Sequence, residues 1–273
     1  MSLRDRLWTG FQLAGGSVAV LRANPGLTVY PLVGGVATVA YLVTVLGGFV
    51  TLGGSESLAF VIALLVGAYA GSMFLVSFSI AALVWASRET FAGRSPSVRD
   101  AFRVAADHIW ALLVWSLLSA FVGLALQILE ESSDIVGIII AALLNTGWLA
   151  LTYFVIPVVV LEDASPTTMV QESGRLIHDT WGETLGSEFG VGFVTALLLA
   201  PGLVLGVVLY LAVPGESAHL IAILGGGLFV GIGMLTGYTL GAIAKTALYV
   251  FARLGTMPGE FDELALAEDP DPS

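Results

Sequence analysis

Residues 109–129 read IWALLVWSLLSAFVGLALQIL. After the acidic turn Glu130-Glu131-Ser132-Ser133-Asp134, the chain resumes at 135–161 with IVGIIIAALLNTGWLALTYFVIPVVVL. Neither stretch holds a charge. A helix rises about 1.5 Å per residue, so about 20 apolar residues cross a hydrocarbon layer roughly 30 Å thick. Buried helices of water-soluble proteins rarely run this far without a charge. In lipid the backbone has no water to bond, which leaves helices and closed barrels as spanning structures. The two-residue alternation of barrel strands is missing. The stretch therefore predicts two membrane-crossing helices joined by a short acidic turn.

Working outward, charge-free runs recur at 23–55, 57–87, 189–215 and 217–244. Trimmed of Gly and Pro at their ends, the six runs predict spans near 27–51, 59–86, 109–129, 136–160, 189–212 and 219–244. The composition agrees: 57% of the 273 residues are hydrophobic and 11% charged, against about 25% charged in soluble domains. Mean hydropathy is +0.93. The fold class expected is an all-α integral membrane protein, six transmembrane helices arranged as three hairpins, each preceded by a cytoplasmic amphipathic helix. Residues 1–252 form a single six-helix membrane domain. Residues 253–273 form an acidic cytoplasmic tail, partly disordered.

Charge excludes some partners and orients the chain. Ten Lys+Arg against 21 Asp+Glu give a net charge of -11, too few cations to neutralise a row of phosphates, so no nucleic acid is expected. An acidic chain whose one lysine is Lys245 suits a salt-rich cytoplasm, and a halophilic source is expected. Loss of the fold in low-salt detergent, and retention in molar salt, is the outcome that reading requires. With no cysteine, disulfides, thiolate metal sites and cysteine nucleophiles are all excluded. Segments 1–22, 87–108, 162–188 and 245–273 hold all ten cations, and the short turns between the other span ends hold only acids. Positive charge stays inside. The chain is therefore placed in the plasma membrane as a multi-pass protein with both termini cytoplasmic.

The cytoplasmic segments carry helical periodicity. The first places Leu3, Leu7, Phe11, Ala14, Val18 and Leu21 on one face. The second, after Ser95-Pro96, does the same with Val98, Ala101, Phe102, Ala105 and Ile109. The third follows Ser165-Pro166 with Met169, Val170, Ser173, Leu176, Ile177 and Trp181. Proline suits a first helical turn and serine a cap. Arg103 with Asp107, and Arg175 with Asp179, are spaced for i,i+4 pairs. Ser-Pro, Arg-x-x-x-Asp and Trp recur in the second and third segments (Trp110, Trp181), consistent with either an internal repeat or three independent juxtamembrane helices.

Three further places carry a family resemblance: Trp8 with Val20-Leu21-Arg22-Ala23-Asn24-Pro25; Tyr153 to Glu162 with Ser165-Pro166 and Thr180-Trp181-Gly182-Glu183; and Ala247-Leu248-Tyr249 with Pro258-Gly259-Glu260-Phe261-Asp262. Together they resemble an uncharacterised prokaryotic family of six-span integral membrane proteins, a domain of unknown function, here in a halophile-type version. The resemblance implies the fold and topology and no activity.

Residues that could carry chemistry are sparse. His108, His178 and His219 show no metal-ligand spacing, and no nucleophile elbow appears. No catalytic residue, metal or cofactor is expected. Glu130, Glu131 and Asp134 read as a solvated turn in preference to a divalent-ion site. Asn145 is the polar side chain near the middle of a span, where an amide seeks an interhelical partner. Gly227, Gly231, Gly233, Gly237 and Gly241 repeat at four-residue spacings and predict close helix packing, intramolecular in preference to dimeric. Pro157 and Pro201-Gly202 are positions for kinks.

The best reading is a non-enzymatic membrane scaffold or interaction protein acting through its cytoplasmic amphipathic helices. Its partners are the lipid bilayer and a membrane protein or a second copy. The alternatives are a small-solute transporter or channel and an interfacial lipid-processing enzyme using His178, Asp179 and Glu183.

Overall fold

The computed structural model describes residues 3–51, 57–131, 135–179, 181–213 and 217–261. Every regular element among them is helical: α1 Leu3–Ala23, α2 Val29–Thr51, α3 Leu58–Phe91, α4 Val98–Asp107, α5 Ile109–Glu131, α6 Ile135–Leu151, α7 Val155–Glu162, α8 Met169–Asp179, α9 Trp181–Ala212 and α10 Ser217–Leu254. Six stretches are long and apolar enough to cross a membrane: Pro25–Thr51, Ala59–Phe91, Ile109–Glu131, Gly137–Glu162, Gly190–Ala212 and His219–Leu254. Each falls on an expected span.

Span four differs from expectation in one respect. It is two helices, α6 and α7, with a turn at 152–154 between them. Pro157 explains the position. Its ring excludes the carbonyl of the residue four earlier, Tyr153, and it donates no N–H, so the helix breaks one turn ahead of it. Pro201 lies inside α9, which continues through it.

The chain groups into two compact units, where the sequence reads as one domain. One comprises Met1–Thr28, Ser87–Arg94 and Thr180–Ser273; the other comprises Val29–Ala86 and Ser95–Asp179.

In the first unit α9 and α10 lie antiparallel and α1 packs on both. The face α1 buries is Gly10, Leu13, Ala14, Ser17, Val20 and Leu21. That corrects the expected stripe: Phe11 is exposed and Val18 half-buried, while Leu3 and Leu7 have side chains outside the described residues. The reason is backbone proximity. A methyl on Gly190 of α9 would strike the Gly10 carbonyl of α1, so the glycine-bearing face is the one that fits. Phe11 instead meets Phe193 edge-on at 5.4 Å.

Part of the expected tail also packs here. α10 runs to Leu254, and a short 3-10 turn, Gly259–Phe261, follows. Phe261 is buried, lying against Gly16 of α1 and edge-on to Phe91 at 5.8 Å. The rest of the tail, 262–273, falls outside the described residues.

In the second unit α2 and α3 touch along their length. Ser79 Oγ donates to the Tyr30 carbonyl at 2.9 Å, and Tyr41 Oη donates to the Gly67 carbonyl at 2.8 Å. Phe49 stacks on Phe60. Trp115 of α5 stacks on Trp148 of α6 at 6.0 Å. Phe102 of α4 packs on Tyr30 and Phe78.

Candidate functional site

Polar structure in the second unit concentrates where span four breaks. A break in lipid frees backbone groups that must be bonded again. Ser173 of α8 does this: its hydroxyl accepts the Phe154 N–H at 2.9 Å, in a fully buried position. Phe154 and Val158 are themselves inaccessible to solvent. Gly174 lets α8 approach Leu151, where a methyl would sit 3.1 Å from its Cδ1. α8 buries Met169, Ser173, Leu176 and Ile177 and exposes Gln171, Arg175 and His178. Its Ser165-Pro166 lies in the turn ahead of the helix, with the Met169 N–H on the Ser165 carbonyl at 3.0 Å.

α7 ends at Asp163, which takes a left-handed backbone (φ 54°). Glycine commonly fills such a helix end. The Asp163 side chain has a use here: its Oδ1 lies 2.7 Å from His108 Nε2. His108 caps the C-terminus of α4, and its Nδ1 lies 2.8 Å from the Val104 carbonyl. Both ring nitrogens face oxygens. The clasp ties the α4–α5 junction to the end of α7. Sequence gave no sign of it, since the two residues are 55 apart.

The expected helix pairs resolve differently. Arg103 and Asp107 are exposed on α4 and form no ion pair among the described residues. In the open such a pair is weak, and Arg ahead of Asp is the less favourable order. Arg175 bonds Glu172 at 2.9 Å, which has the acid first. Asp179, expected to pair with Arg175, has its side chain outside the described residues, as does Glu183. α4 is capped by Ser97, whose Oγ accepts the Asp100 N–H at 3.1 Å, one residue past the expected Ser-Pro.

The glycine seam lies in the first unit. Down α9 and up α10, Gly206 faces Gly226, Gly202 faces Val230, Leu198 faces Gly233, Thr195 faces Gly237 and Val191 faces Gly241. Gly226, Gly233 and Gly237 are buried, so intramolecular packing uses three of the five expected glycines, Gly233, Gly237 and Gly241. Gly227 and Gly231 are exposed and lie off the seam, because the partner glycines Gly202 and Gly206 select the neighbouring face of α10. One apolar groove borders α9 and α10 in the first unit, and another lies on α2 in the second. The first, of about 470 Å³, is lined by Gly202, Gly206, Gly226 and Gly227 and ends at Tyr210 and His219, which meet edge-on. The other, about 540 Å³, runs along Val39, Val43, Leu46 and Val50 of α2. Among the described residues no Asp, Glu, Lys or Arg lines either.

Asn145 is exposed on α6, and its amide has no hydrogen bond among the described residues. Gln127 donates to Glu131 at 2.9 Å in the last turn of α5; Asp134 is outside the described residues. No group of three His, Cys, Asp or Glu able to hold a metal occurs among the described residues.

Ten α-helices without a strand among the described residues, six stretches of them long and apolar enough to cross a membrane, give an all-α protein of the membrane-embedded kind. The chain belongs to the family of unknown function DUF6159, whose pattern matches residues 57–259. No curated protein and no solved structure matches it.

Proposed function

We propose that the protein is a non-enzymatic membrane scaffold, its crossings arranged as three hairpins with both termini in the cytoplasm of the plasma membrane, receiving a partner protein on the charged faces of α4 and α8. One observation carries this reading. A helix that lies in a bilayer surface gives its apolar face to lipid. α4 and α8 instead turn Ala101, Ala105, Met169, Leu176 and Ile177 into their own unit and leave Arg99, Asp100, Arg103, Asp107, Gln171 and Arg175 open. What they offer to the outside is a charged, hydrogen-bonding surface fixed on a rigid base.

Site-specific photocrosslinkers at Arg99, Arg103 and Gln171 in native membranes test this. Discrete protein adducts are expected there and not from Leu197, which is 58% exposed on apolar α9. Charge reversal at Arg99 and Arg103 together should remove them. Adducts no stronger than those from Leu197 overturn the reading.

A passive pathway for a small apolar solute is the second reading, favoured by the break in span four, since broken helices line transporter sites. The full burial of Phe154 and Val158 at the break counts against it. Solute flux into vesicles carrying the protein, above that of protein-free vesicles, would put it first.

A further inference from the structure

α6 leaves a helix face uncovered in the membrane. Ile138, Ala142, Asn145 and Leu149 follow one another at intervals of four, three and four residues, and all are exposed. This is the spacing of a seam that mates with another helix. The seam runs beside the face that meets α5, on which Ala141 is buried and Trp148 stacks on Trp115.

The Trp pair also sets the depth of the seam. Three residues before Trp148, Asn145 lies level with Leu118 of antiparallel α5, nine residues from Ile109 and thirteen from Glu131. Its amide is therefore in hydrocarbon, where an unbonded donor and acceptor are costly and no water satisfies them.

The chemistry selects the occupant. A carboxamide holds both a donor and an acceptor, so two copies related by a twofold axis satisfy each other at one position. A single Asn within an apolar seam fixes register and partner number. Ala142, one turn away, lets two backbones come close. The exposed Gly227 and Gly231 of α10 offer a close approach but no group that selects a partner.

We infer that α6 is a homodimer interface, with Asn145 of one copy hydrogen-bonded to Asn145 of a second copy inside the membrane. The inference requires α6 to be embedded in lipid and does not depend on the scaffold reading.

The chain lacks cysteine, so each single substitution places one thiol per copy. In phosphatidylcholine vesicles oxidised with copper–phenanthroline, Asn145→Cys is expected to form disulfide dimers several times faster than Leu143→Cys, which is 67% exposed on another side of α6. In single-molecule photobleaching across protein-to-lipid ratios, Asn145→Leu should need about tenfold higher density to dimerise, and Asn145→Gln should stay near the parent. Helical circular dichroism confirms that each variant folds. If Asn145→Leu does not fold, Ile138→Cys and Leu149→Cys against Leu143→Cys decide the matter. Equal crosslinking at all positions, or unchanged dimerisation of folded Asn145→Leu, overturns the interface. Crosslinks that appear in native membranes only to a different protein overturn the second copy as occupant.

Discussion

Ser173 supplies a hydrogen-bond acceptor at the point where span four is interrupted. The Phe154 N–H is buried at the turn that interrupts span four, and the Ser173 hydroxyl is its acceptor. Ser173→Ala removes that acceptor from a buried donor, at a cost of about 1–3 kcal/mol. The break exists because of Pro157, so Pro157→Ala allows α6 and α7 to join and gives that N–H an intrahelical carbonyl. Thermal unfolding in detergent of both single variants and the double should show the serine substitution costing less in the Pro157→Ala background; equal costs would mean the serine acts by packing alone. Asp163 is argued in the same way. Its left-handed backbone costs an ordinary residue about 1 kcal/mol, and its His108 bond offsets part of that at a site 91% exposed, where ion pairs are weak. Asp163→Ala loses the bond and keeps the strain, whereas Asp163→Gly loses both. The glycine variant should therefore melt above the alanine variant.

α10 shows what a helix pattern reveals and what it conceals. The six long apolar helices were readable because lipid acts on composition itself: a charge in 109–129 would have had to be buried or paired. The glycine repeat announced close packing but not its face. Gly227 and Gly231 are spaced like Gly233 and Gly237, and the choice between them lay with Gly202 and Gly206 on another helix. Long-range pairing hid the His108–Asp163 clasp for the same reason. Pro157 signalled a disturbance in span four, yet nothing local marked Ser173, on a separate helix, as the group that makes the break tolerable. The seam gives a paired test. Gly233→Leu drives a side chain into the backbone of Leu198 and should destabilise by about 1–3 kcal/mol or more, whereas Gly231→Leu, with nothing within 4 Å of its Cβ position, should change the melting temperature little. Similar losses at both positions would mean that α9 and α10 are not held by this register.

Orientation in the membrane depends on where the arginines are, since acids contribute little to it. Arg4, Arg6 and Arg22 precede the first long apolar helix and Arg88, Arg94, Arg99 and Arg103 lie at or beyond the end of the second. The opposite insertion would translocate all seven guanidinium groups, against the bias that retains Lys and Arg near span ends on the cytoplasmic side. Pairing does not relieve this by neutralising them: the Glu89 carboxylate, bonded to Arg94 Nη2 at 2.7 Å, raises that guanidinium above its ordinary pKa and holds it charged. A cysteine-free chain makes the outcome direct to measure. With a membrane-impermeant maleimide on intact cells, Ser57→Cys and Glu131→Cys should label at once. Ser95→Cys and Gln171→Cys, all four positions being exposed, should label only after permeabilisation. The reverse pattern would invert the protein and place the charged faces of α4 and α8 outside the cell, where no cytoplasmic partner could meet them. Labelling of all four positions in intact cells would mean that the crossings between them do not alternate sides, and the six-span topology would fail with it.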